Sequence, residues 1–95
     1  MGGDWKEMFA AAEQGDIELL KYHLRMGVDP NYQHPEYMTS PLIECVRLGK
    51  LDVVKILLEN GADPNIKEGF GKETALSIAM AKKDEAAVQL LQSYL

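Results

Sequence analysis

One register of matches constrains this chain more than any other feature. Asp29-Pro30-Asn31 returns 34 positions later as Asp63-Pro64-Asn65. At the same offset Gly15 falls on Gly49, Gly27 on Gly61, Lys21 on Lys55 and Leu24 on Leu58. Ser40-Pro41-Leu42 falls on Thr74-Ala75-Leu76, and Met8 leads the column of Leu42 and Leu76. A fixed period of this length marks stacked supersecondary units, none of which buries its apolar face alone.

The second unit shows what each copy folds into. Ser40 can accept a hydrogen bond from an orphan backbone N–H and so caps a helix. Pro41 then occupies the first helical position, where its missing N–H costs nothing. A short helix runs to about Leu48, and Gly49 ends it. A second helix starts near Leu51-Asp52. Its apolar residues Leu51, Val54, Leu57 and Leu58 recur at spacings of three and four, and Val53 and Ile56 widen the stripe. A stripe this wide predicts a helix buried on more than one side, with Leu57 between two neighbours. Gly61 ends it in the left-handed conformation, as Gly27 does one unit earlier. Asp63-Pro64-Asn65 then turns the chain away from the helices.

The segment Ser40-Pro41-Leu42 through Gly49, followed by Asp52-Val53-Val54-Lys55-Ile56-Leu57-Leu58-Glu59-Asn60-Gly61-Ala62-Asp63-Pro64-Asn65, closely resembles an ankyrin repeat. The resemblance spans about residues 4–95 and is tightest in the middle unit. It implies an all-α solenoid of three helix-turn-helix units with projecting hairpin loops, in one domain over residues 1–95. The repeats run over about residues 4–37, 38–71 and 72–95. Two departures stand out. Ile43 replaces the family's usual histidine, with Phe9 and Ser77 in the same column, so neighbouring turns need other ties. Each loop is also one residue longer than usual, giving a period of 34 rather than 33.

The outer units read as caps. Glu85 stands in the column of Leu51 and Gln92 in that of Leu58, giving the last helix a polar outer side. Asp4 and Glu7 have the spacing of a capping box. On this pattern the chain is expected to be a complete three-repeat protein. Tyr22, His23 and Cys45 fall in core columns, an irregularity unlike a consensus design.

Charge and chemistry narrow the function. Fifteen acidic residues against ten basic give a net charge of −5. Nucleic-acid binding needs clustered Lys and Arg, and the longest basic cluster is Lys82-Lys83, followed at once by Asp84-Glu85. The expectation is no nucleic-acid partner. No apolar run approaches the ~18 residues of a membrane span, and the polar N-terminus is unlike a signal peptide. A monomeric cytoplasmic protein that does not engage a membrane is the reading. The single cysteine, Cys45, allows no internal disulfide and aligns with Ala11 and Ala79, so it reads as a small buried hydrophobe. His23 shares the column of Leu57 and Leu91 and reads as packing. His34, beside Pro35, reads either as a partner contact or as a bystander. Gly69-Phe70-Gly71-Lys72 lacks P-loop spacing and reads as a turn. No metal, cofactor or catalytic group is expected.

What remains is binding. The resemblance implies that segments 32–39 and 66–73 project as fingers and line a concave face with the first helices. Ankyrin proteins commonly bind protein partners on that face. Trp5, Tyr37, Met38, Arg47, Leu48 and Phe70 are the candidate residues there, since Trp, Tyr and Arg dominate binding hot spots. For Trp5, Tyr37 and Phe70 a second reading stands beside this one, namely finger packing against finger; for Met38 the second reading is a side chain tucked under its finger. The expected function is a non-enzymatic interaction module. The alternative is a small inhibitor or antidote that covers a partner enzyme's active site.

Overall fold

A computed structural model describes residues 4–69 and 71–95. Its described residues form six helices and no strand. They are α1 (Trp5–Gln14), α2 (Ile17–Arg25), α3 (Pro41–Leu48), α4 (Leu51–Glu59), α5 (Ala75–Ala81) and α6 (Glu85–Gln92). Consecutive helices pair as α1 with α2, α3 with α4 and α5 with α6. The first helices α1, α3 and α5 stack side by side, and α4 packs on α6. The expected all-α solenoid is the observed architecture.

Local chemistry accounts for the helix ends. The Ile43 N–H donates to Ser40 Oγ at 3.3 Å, with Pro41 at the first helical turn. Thr74 and Ser77 form a full capping box on α5, each side chain accepting the other's backbone N–H. The capping box expected at α1 is only half formed. Asp4 Oδ1 accepts the Glu7 N–H at 3.1 Å, but the Glu7 carboxylate accepts from His23 Nε2 at 2.9 Å instead of returning to the cap. A buried imidazole one helix away outcompetes an exposed backbone N–H for that carboxylate.

Each helix pair turns on the same hydrogen bonds. The N–H groups of Asp16, Lys50 and Asp84 donate to the carbonyls of Ala11, Cys45 and Ala79. Val28 and Ala62 likewise donate to His23 and Leu57. These six-to-one bonds require a left-handed residue in the turn. Gly27 and Gly61 supply it with φ of 92° and 97°, as the sequence predicts.

The core runs through equivalent positions of every unit. Leu57 and Leu91 are fully buried, and His23 nearly so in the same column. Ala11, Cys45 and Ala79 form a column of small buried residues where the first helices meet. Two core assignments are corrected. Leu51 is 38% exposed, and the fully buried Val53 takes its place in the stripe. Tyr22 is 48% exposed, its ring lying edge-on to His23 at 5.3 Å. Both side chains lie on second helices and are left exposed among the described residues.

Polar groups replace the missing histidine ties. The Asn31 amide spans two units, donating to Gly61 O at 3.1 Å and accepting from the Asp63 N–H at 2.7 Å. Lys82 Nζ donates to the carbonyls of Val46 and Arg47 at 3.0 and 2.8 Å, satisfying the C-terminus of α3 from the next unit.

Candidate functional site

The loops between helix pairs begin with an Asx turn. Asp29 Oδ1 accepts the Asn31 N–H at 2.8 Å, and Asp63 Oδ1 accepts the Asn65 N–H at 2.9 Å. The chain then projects and returns. His34 N–H donates to Thr39 O at 2.8 Å in the first finger, and Glu68 N–H to Glu73 O at 3.0 Å in the second. The fingers join through Gly69 N–H to Met38 O at 2.8 Å and Gln33 Nε2 to Lys67 O at 3.0 Å.

Met38 is positioned by this contact. It adopts φ of 54°, and a Cβ added at Gly69 would fall 2.6 Å from Met38 Cβ. Met38 is therefore tucked between the fingers. Arg47 braces the second finger: its guanidinium donates to Glu44 and to Glu68, both at 2.7 Å. The bond with Glu68 chiefly raises its already high pKa, against an opposing effect of burial. Leu48 is 50% exposed beside it. Phe70 lies outside the described residues.

The remaining two candidates converge on a residue that the sequence left ambiguous. His34 stacks on Tyr37 with centroids 4.3 Å apart, and lies edge-on to Trp5 at 5.2 Å and to Phe9 at 5.3 Å. Trp5 also meets Tyr32 at 5.1 Å. His34 Nδ1 accepts the backbone N–H groups of Glu36 and Tyr37 at 3.1 and 3.3 Å, which fixes the ring in the finger tip. That acceptor role assigns the proton of the neutral ring to Nε2. The first finger thus lays an aromatic cluster over the start of α1, and Tyr37 remains 66% exposed on top of it. Sequence columns place Trp5 near the finger but give no sign that a histidine organises the cluster, because the contacts join residues far apart in the chain.

Beneath these rings lies an open cavity of about 290 Å³ lined by Trp5, Lys6, Phe9, Ala10, Glu13, His34 and Tyr37. Partial burial raises the Glu13 carboxyl above its ordinary pKa; Glu44 adds to the rise and His34 opposes it. A larger cavity of about 570 Å³ lies on α5 and α6, lined by Met80, Lys83, Glu85, Val88, Gln89 and Gln92. Met80 and Val88 share the columns of Val46 and Val54, both buried by the following unit. That larger cavity is therefore the uncovered end of the stack, not a shaped site.

Cys45 is fully buried, and its Sγ donates to Ala12 O at 3.5 Å. Burial first, and the nearby Glu13 and Glu44 next, push its thiol up to about 12, far from a reactive thiolate. No group of three or more metal-ligating side chains is gathered among the described residues. No helix among them is long and apolar enough to cross a membrane.

The sequence model of the ankyrin repeat family, in three copies, matches residues 8–94. The chain belongs to the ankyrin repeat family. Among similar proteins, an ankyrin repeat and KH domain-containing protein of Caenorhabditis briggsae is 40% identical, over 85% of this chain and 3% of its own length. The human DNA-binding protein RFXANK is 43% identical, over 72% of this chain and 26% of its own length. The human 2-5A-dependent ribonuclease is 30% identical, over 78% of this chain and 10% of its own length. The chain therefore spans only a small part of each of these relatives. Ankyrin repeats generally serve as non-enzymatic protein-interaction modules, including within proteins named for other activities.

Proposed function

We propose that this ankyrin domain, residues 1–95 taken as one unit, binds a partner protein through the first finger and the adjoining face of α1 and α3. The observation that carries the proposal is the aromatic cluster, in which Tyr32 and Tyr37 are exposed and Trp5 and His34 are half-buried. Trp5, Tyr32, His34 and Tyr37 form one continuous patch on the surface of an otherwise acidic chain. Aromatic anchors of this kind supply most of the energy in protein interfaces. Within the patch, Trp5 and Tyr37 are the anchors. Arg47 and Met38 hold the fingers in register, and Leu48 extends the apolar surface along α3. The domain acts by occupancy and needs no cofactor.

A partner recovered by co-purification from the native host provides the test. Nuclear magnetic resonance mapping of the complex should broaden or shift the amides of residues 5–13 and 32–38. Perturbation confined to the outward residues of α2 and α4, such as Lys21, Lys55 and Glu59, contradicts the assignment.

A further inference from the structure

We propose that the cavity beneath the first finger receives an arginine side chain of the partner, with the guanidinium stacked on the aromatic rings and paired with Glu13. The inference rests on the reading of this face as a binding surface and specifies what it recognises.

Four observations lead to a cation. First, four of the lining residues are aromatic, Trp5, Phe9, His34 and Tyr37. Aromatic faces attract cations through the ring quadrupole, and the protein already uses this, with Lys6 Nζ 5.8 Å from the Trp5 centroid. Second, the carboxylate lining the cavity has no hydrogen bond or ion pair among the described residues. The neighbouring carboxylate Glu44 is held by Arg47 at 2.7 Å, whereas Glu13 is left for an outside partner. Third, Glu13 is partly desolvated and repelled by Glu44, so a cation beside it relieves an existing penalty. Fourth, the chain carries a net charge of −5, which favours approach of a basic segment.

Size and shape select arginine. At about 290 Å³ the cavity falls just below the range of small-molecule sites, about 300–1,000 Å³, and suits one long side chain. A planar guanidinium can stack on Tyr37 or Trp5 while donating to a carboxylate, and it loses its hydration more readily than an ammonium. An anionic ligand would be repelled by the Glu13 carboxylate that lines the cavity.

The probe is N-acetyl-arginine N-methylamide, titrated into the isotope-labelled protein and followed at the Trp5 indole and the amides of residues 6–13 and 34–37. Saturable shifts confined to those signals are expected. The neutral citrulline analogue should bind about tenfold more weakly or not at all. Glu13→Gln should bring arginine binding down to the citrulline level while the protein stays folded by circular dichroism. Tyr37→Leu provides a second variant and should weaken arginine binding with the melt unchanged. Equal binding of citrulline, binding of the lysine analogue as tight as that of arginine, or insensitivity to Glu13→Gln overturns the arginine pocket. The partner mapping described above separates the two readings. A partner seated on residues 5–13 and 32–38 with no arginine in the cavity overturns the pocket alone, whereas one seated on α2 and α4 overturns the binding face.

Discussion

The turn between α5 and α6 offers a clean test of how the repeats are built. In the first two units the left-handed position is Gly15 at φ 75° and Gly49 at φ 76°. In the third unit the same column holds Lys83, at φ 58°. Its N–H donates to Met80 O at 3.0 Å, and the next N–H, from Asp84, donates to Ala79 O at 3.0 Å. The motif is therefore complete, and a residue with a Cβ has been forced into it. That conformation costs an L-residue about 1–2 kcal/mol. Glycine removes the clash but adds about 0.5–1 kcal/mol of backbone entropy to the unfolded chain. The difference spans about 0–1.5 kcal/mol, and from the middle of both ranges Lys83→Gly should stabilise the domain by roughly 0.5–1 kcal/mol. For a domain of this size, 1 kcal/mol moves the melting temperature by about 4–8 °C, so a rise of about 2–8 °C is expected. Lys83 is exposed, and its side chain makes no hydrogen bond or ion pair with the described residues, so little is lost with it. Lys83→Ala is the control: it removes the same charge and stem but keeps the Cβ. Differential scanning calorimetry on the three proteins decides the matter. A glycine variant that melts at or below the parent, or an alanine variant that gains as much, refutes the argument from backbone strain.

Three further outcomes follow from the same structure. Leu57 is fully buried in the middle unit, so Leu57→Ala should cost about 2–5 kcal/mol by chemical denaturation; a loss below about 0.5 kcal/mol would place it at the surface. The Cys45 thiol is raised from 9.0 to about 12 by burial, so the unfolded chain ionises first. This contribution favours the fold below about pH 9 and fades as pH climbs toward about 12. Denaturant melts of Cys45→Ala should show a shallower alkaline decline than the parent, and equal slopes would contradict the burial. The Glu13 carboxyl is raised in the fold, so it holds its proton more tightly there than in the unfolded chain. Its charge then opposes folding once pH exceeds the folded-state value. Glu13→Gln should match or exceed the parent's melting temperature at neutral pH, with any gain vanishing near about pH 3; a clear loss at neutral pH contradicts this.

Most of the scaffold is legible in the sequence because its determinants are local. Ser40-Pro41 starts a helix, Gly27 and Gly61 end two others, and Leu57 lies in the centre of a buried stripe, all from neighbours a few positions away. The exceptions are residues whose partners are distant. Glu7 has capping-box spacing, yet His23 on the next helix takes its carboxylate. Tyr22 occupies a core column but turns outward, since only half of that helix face is covered. Lys83 and Met38 take left-handed conformations that their side chains do not advertise. The site divides in the same way. Trp5 and Tyr37 were recognisable as surface aromatics in finger columns. His34 was not recognisable as their centre, because its role depends on rings brought together by stacking α1 under the first finger. A finger histidine with aromatics in the adjoining first-helix columns is the signal that could have found it.

The central claim is that the first finger and its aromatic cluster bind the partner, with the exposed Tyr37 contributing little to the core. Isothermal titration of the purified partner against Trp5→Ala, Tyr37→Ala, Lys55→Ala and Glu59→Ala, each with its own thermal melt, tests this most directly. Tyr37 is 66% exposed, and Lys55 and Glu59 face outward from α4. The account predicts that the Trp5 and Tyr37 variants lose about thirty-fold or more in affinity. It also predicts that Tyr37→Ala leaves the melt nearly unchanged and that the two α4 variants bind as the parent does. Full affinity in both aromatic variants, with a loss in Lys55→Ala or Glu59→Ala, would contradict it and move the binding surface to the opposite side of the stack.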